Sequence, residues 1–186
     1  MALLTREDLR HQSRFAWLCL AALAAAAIAL WLLDKRAAAG GTLAAIAGCL
    51  GVMLPPRERM AALPTLLRRL PRDLDATPVL ASLLSTPGYG LNWFHGANPY
   101  DEVVHLVSGL LAGAVLAGLV LADGRPRGAW ALARHGLIFG LALAVGWEVL
   151  EWALGIIGNT VDTITDIILT TMGAAVGAVL WQRGRR

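Results

Sequence analysis

Apolar residues run along this 186-residue chain in long blocks, separated by short intervals rich in arginine or in acids. A helix needs ~20 apolar residues to cross a bilayer. Four blocks meet that length plainly, at 15–33, 103–122, 129–152 and 164–181. A fifth, at 37–54, is shorter and rich in alanine and glycine but carries no charge. The stretch "VLASLLSTPGYGLNWFH" at 79–95 is apolar too, yet interrupted by Pro87, Gly88 and Gly90. It reads as a broken span, tolerable where backbone faces protein or a water-filled cavity. Between the second and third blocks, residues 55–78 alternate arginines and leucines between prolines, which predicts a loop with a short amphipathic helix on the membrane surface.

Composition agrees with the pattern. The chain is 57% hydrophobic and 16% charged, against about 25% charged in a soluble domain. The first block follows Arg6, Arg10 and Arg14 as a signal peptide would, but its 19 apolar residues exceed the roughly 7–15 of a cleaved signal. It is expected to stay as an anchor. Cys19 and Cys49 sit inside apolar blocks and read as buried small hydrophobes. The net charge of +3 does not point to nucleic acid, because the arginines lie between apolar blocks, as in cytoplasmic loops of membrane proteins.

Charge also decides the topology. If 79–95 does not cross and the N-terminus is inside, lysine and arginine divide eight inside and eight outside. If it crosses, the division is 14 inside against Lys35 and Arg36 outside. Lysine and arginine strongly favour cytoplasmic loops. The expected fold is therefore all-α: a single polytopic transmembrane helical bundle over 1–186, with about six spans and both termini cytoplasmic.

That topology gathers the acids. Asp101, Glu102, His105, Glu148, Glu151, Asp162 and Asp166 all fall near the outer face. Residues three or four apart share a helix face. One face reads Asp101, His105, Ser108/Gly109, Ala112; the next Gly136, Gly140, Ala144, Glu148, Glu151; the last Asp162, Asp166, Thr170, Gly173, Gly177. Small-residue stripes are where membrane helices pack closely, so the three ionisable faces should point at one another.

Helix capping accounts for part of this. Asn98-Pro99-Tyr100-Asp101 and Asn159-Thr160-Val161-Asp162 both look like helix starts with an asparagine cap. Capping does not explain His105 or Asp166, a turn deeper, nor Glu148 and Glu151 at a helix C-terminus, where the dipole disfavours anions. Close carboxylates repel and must take protons or recruit a cation, and no arginine is near. A divalent metal fits: carboxylates with one imidazole suit zinc, manganese or iron, and oxygens alone suit magnesium or calcium. The expected metal ligands are Asp101, His105, Glu148 and Asp166, with Glu151 and Asp162 as orienting groups or a catalytic base. His95, just before Asn98, is a second candidate imidazole. His105 and His135 lie at opposite ends of their spans, which speaks against a bis-histidine haem.

At these residues "PYDEVVHLVSGLLAG", "GWEVLEW" and "NTVDTITDIILTTMGAAVGA" resemble the YjdF-like family of small bacterial inner-membrane proteins. Matching positions are Tyr100, Asp101, His105, Gly109, Glu148, Glu151, Trp152, Asp162, Thr163, Asp166 and Gly173. The resemblance covers residues from roughly 90 to 180 and implies a multi-pass protein of the bacterial inner membrane, with no activity attached. A weaker likeness to VanZ-like proteins lacks the arginine expected between its glutamate and aspartate. Three function classes fit the chain: a metal-dependent hydrolase or oxidase acting on a lipid or envelope substrate, a proton- or ion-coupled transporter, and an accessory subunit of a larger membrane complex. Membrane lipid is the expected partner, with a homo-oligomer or larger complex left open.

Overall fold

A computed structural model describes residues 5, 8, 12–95, 98–156 and 158–185. Arg6, Arg10, His11 and Arg186, which entered the charge count or the imidazole inventory, lie outside the described residues. Among the described residues the chain is helical, without strands: α1 (Arg14–Leu32), α2 (Arg36–Met53), α3 (Ala76–Gly90), α4 (Tyr100–Leu121), α5 (Ala129–Leu154) and α6 (Thr160–Gly184), with short turns between α2 and α3. All but α3 are long and apolar enough to cross a membrane. The helices gather into two compact units, Met1–Asn98 and Pro99–Arg186.

In the first unit α1, α2 and α3 pack around Leu20, Leu23, Cys49, Met53 and Val79. Ser13 opens α1 by accepting the amide of Ala16 at 3.3 Å. Both cysteines are free and buried. Helix α3 has 15 residues and a length of about 22 Å, short of the ~30 Å hydrocarbon core. It differs from the expected broken span, being continuous through Pro87, Gly88 and Gly90. The reason is packing. A Cβ at Gly88 would fall on the Phe94 ring and one at Gly90 on the Leu30 side chain, so these glycines admit neighbours rather than unwind the helix. The chain turns only afterwards, at Asn92, which has φ 63°.

Where a loop with one short amphipathic helix is expected over 55–78, the connection carries three one-turn segments. Prolines divide them, at Arg57–Arg59, Thr65–Arg68 and Arg72–Asp75. Their arginines do structural work. Arg57, 6% exposed, pairs with buried Asp75 at 2.5 Å. Arg72 bonds the carbonyls of Met53 and Pro55, each at 2.9 Å, satisfying groups left open where α2 ends. The Arg72 guanidinium also grips Glu58 and holds its carboxyl below the usual range.

In the second unit α6 is central, packed along α4 on one side and α5 on the other. Small residues make this possible. A Cβ at Gly109 or Gly113 of α4 would fall on the carbonyl of Thr170 or Ala174, and one at Gly173 or Gly177 of α6 on the carbonyl of Leu106 or Leu110. The two backbones are in direct contact, a geometry only glycine permits. Gly136 and Gly140 do the same for α5 against Ala174, Ala175 and Thr171. Helices α4 and α6 therefore run parallel, with α5 antiparallel to α6. At one end Arg127 forks both oxygens of Asp123 at 2.7 Å and donates to the carbonyl of Val120, closing α4. At the other, Gly155 with φ 70° ends α5 in a left-handed cap.

Candidate metal centre

The register of the glycine contacts sets the depth of every ionisable group. Gly109 meets Thr170 and Gly113 meets Ala174. Followed back two turns, that parallel course puts His105 level with Asp166 and Asp101 level with Asp162. Helix α5 runs the other way, from Ala174 and Ala175 at Gly136 to Thr171 at Gly140. Two further turns bring Glu148 level with Asp162 and Thr163. Three helices thus place acids at one end of the unit, and the same unit's arginines lie toward the other.

Asp101, His105 and Asp166 form one group whose ligand atoms all lie within 4.8 Å of one another. His105 Nε2 is 3.6 Å from Asp101 Oδ1 and 3.6 Å from Asp166 Oδ2. Asp101 reaches His105 because they are four apart on α4. Asp166 reaches it across the glycine contact and is 3% exposed. The imidazole is held from behind: Nδ1 stands 3.1 Å from Thr170 Oγ1, and the Thr170 hydroxyl points to the His105 carbonyl at 3.5 Å. A hydroxyl has one proton. If it goes to that carbonyl, the threonine oxygen accepts from Nδ1–H and Nε2 carries the lone pair; if it goes to Nδ1, Nε2–H faces the two carboxylates.

Two carboxylates this close to an imidazole call for a shared proton or a bound cation. The spacing suits a cation. Ligand atoms about 2.1 Å from a tetrahedral ion stand about 3.4 Å apart, close to the two 3.6 Å separations. A second coordination sphere that fixes a histidine tautomer is the usual support for such a ligand, and Thr170 fills that place. The sequence puts Thr170 on the right face but assigns it no role, since a helical threonine ordinarily bonds back to its own helix.

The other expected residues fall around this group. Glu148, 7% exposed, belongs to the buried face of α5 with Gly136, Gly140 and Ala144. It does not join the three-residue group, because it sits a turn further toward the helix ends than Asp166. Glu151 is half-buried and accepts from Trp147 Nε1 at 2.8 Å. Asp162 lies in the first turn of α6, its carboxylate folded against Gly158.

The two expected caps separate. Asn159 accepts the amides of Val161 at 2.9 Å and Asp162 at 3.2 Å. Asn98 instead donates to the Trp93 carbonyl at 3.1 Å, and Pro99 stands at the start of α4. His95 is exposed in the turn Trp93–His95. His135 bonds Ala131 O of its own helix at 2.6 Å, far along α5 from Glu148.

The model of a family described as "Predicted membrane protein (DUF2238)" matches residues 14–186. It is the YjdF-like family that the motifs around Asp101, Glu148 and Asp162 resemble. No curated protein and no solved structure matches the chain.

Proposed function

The chain belongs to that DUF2238 family of predicted membrane proteins, and on that premise we propose that it is a multi-pass protein binding a divalent metal ion where α4 and α6 begin. The observation that carries this reading is the convergence of Asp101, His105 and Asp166 within 4.8 Å, with Thr170 Oγ1 3.1 Å from Nδ1 on the far side of the imidazole. Ionisable groups in a span are costly, ~2.5–3.5 kcal/mol each on insertion scales, and mark functional positions by default. In our reading the membrane is the bacterial inner membrane, α3 with the turn after it completes a sixth crossing, both termini are cytoplasmic, and the acidic end faces outward. That orientation leaves only Lys35 and Arg36 outside.

A bound ion would supply Lewis acidity and a water deprotonated near neutral pH. The chain's own residues do the rest. Asp101, His105 and Asp166 would hold the ion from two helices, and Glu148 and Glu151, a helical turn further out on α5, would be the neighbouring carboxylates able to accept a proton. That arrangement suits cleavage of an ester at headgroup depth, in a lipid or another envelope molecule. The test is elemental analysis and Zn²⁺ titration of the full chain purified in detergent without chelator. Bound metal, lost in His105→Ala with Asp166→Asn while helix content is unchanged, supports the reading. Wild-type protein that is metal-free and takes up no Zn²⁺ or Mn²⁺ overturns it.

A further inference from the structure

At the end of the second unit opposite the acids, a groove of about 260 Å³ opens between α5 and α6. It is lined by Ala133, Ala175, Val176, Val179, Leu180 and Arg183. The two faces of the α5–α6 seam are filled differently. On one, Leu132 and Ala178 pack with Ala117, and Trp181 lies against them. One residue further along each helix, Ala133 and Val179 turn to another face, where alanine is too short to fill the space. Val176 and Leu180 are exposed along the opening. Arg183 stands eight residues beyond Ala175, about 12 Å along α6, so the groove is apolar inside and cationic at its mouth. That charge is not answered by protein. Five described arginines, Arg125, Arg127, Arg134, Arg183 and Arg185, stand at this end against one acid, Asp123. Arg127 already grips both oxygens of Asp123. Arg183 also suits the dipole at the end of α6, but a helix end offers only about half a charge.

We propose that this groove holds one acyl chain of an anionic phospholipid, with the Arg183 guanidinium on its phosphate. The order of groups matches that ligand: charge at the helix end, then two turns of apolar wall toward the middle of the span. The volume falls below the roughly 300–1,000 Å³ of a pocket for a compact small molecule, and a single chain is slender enough to lie in it. A second helix is the poorer occupant. Membrane helices dock closely through small residues, whereas the rim here is Val176 and Leu180, both branched and protruding. The guanidinium presents a fork of N–H donors that matches phosphate geometry. Trp130, exposed in the first turn of α5 and three residues before Ala133, marks headgroup depth at the mouth. Basic pockets between spans on the cytoplasmic side are where anionic headgroups bind, and this is that side in the orientation proposed above.

This inference stands apart from the metal reading, because it concerns the opposite end of the unit and its test involves no ion. Phosphatidylglycerol and phosphatidylcholine with the same acyl chains are titrated into the full chain in detergent, and binding is read by native mass spectrometry. The wild type should bind phosphatidylglycerol about fivefold more tightly, the effect of one arginine at a headgroup. Arg183→Gln should abolish the preference, while Arg125→Gln, an equal loss of charge outside the groove, should keep it. Ala133→Phe, which fills the groove, should weaken both lipids. Equal affinity of the wild type for the two lipids overturns the proposal, and that comparison needs no variant to fold. A preference lost equally in Arg125→Gln and Arg183→Gln overturns it too, showing diffuse surface charge. Displacement of the lipid by glycerol 3-phosphate alone assigns Arg183 to a soluble phosphate and overturns the acyl groove. A dimer that Ala133→Phe dissociates gives the groove to a second copy of the chain and likewise overturns the lipid.

Discussion

Replacing Gly109 by alanine probes packing and the site at once. A Cβ there falls on the carbonyl oxygen of Thr170, so α4 and α6 must separate by about 1 Å to reach ordinary contact. Overpacking of this kind costs about 1–3 kcal/mol, partly offset by roughly 1 kcal/mol of helix propensity gained over glycine. Gly48→Ala in α2 is the control, because a Cβ there meets nothing within 4 Å; it gains propensity without a clash. The two variants should therefore differ by about 1–3 kcal/mol, on the order of 5 °C in unfolding midpoint for a chain of this size. The separation also stretches the His105–Thr170 contact, now 3.1 Å, beyond hydrogen-bonding range. Loss of such a supporting contact typically lowers metal affinity about 10–100-fold. Thermal unfolding followed by circular dichroism in detergent, with Zn²⁺ affinity by competition, measures both effects. A Gly109→Ala protein that unfolds at or above Gly48→Ala and binds Zn²⁺ unchanged would refute the close-contact geometry.

Two further outcomes follow from named contacts. Thr170→Val keeps the shape of the side chain and removes the hydroxyl, so Zn²⁺ affinity should fall about 10–100-fold with the unfolding midpoint little changed; equal affinity in both proteins would show that the hydroxyl does not set the tautomer. Asp75→Ala leaves Arg57 buried without its partner at 2.5 Å and should cost about 3–5 kcal/mol, whereas Arg57→Met with Asp75→Leu should recover most of it. Urea or thermal unfolding reads this cycle, and a double variant no more stable than Asp75→Ala alone would contradict the pairing.

The sequence by itself determined the class of the molecule, because blocks of apolar residues long enough for a bilayer leave only helices as a solution. It also determined which face of each helix carries the acids. The spacing of Asp101 and His105, of Asp166 and Thr170, and of Gly140, Ala144 and Glu148 is a property of the 3.6-residue turn, and the buried faces of α5 and α6 follow it. The tertiary structure decided what spacing along one helix does not contain: the register between helices. Direct backbone contact at Gly109, Gly113, Gly173 and Gly177 fixes that register, and through it Asp166 meets His105 while Glu148 stops a turn away. The same holds in the first unit. Pro87, Gly88 and Gly90 signal a break in a sequence, but the close approach of Phe94 and Leu30 makes those glycines packing positions in a continuous helix. Likewise Arg57 and Arg72, between α2 and α3, read as surface charge until Asp75 and the open carbonyls of Met53 and Pro55 draw them inward. In each case a partner outside the helix itself supplied the contact that chose among locally permitted conformations.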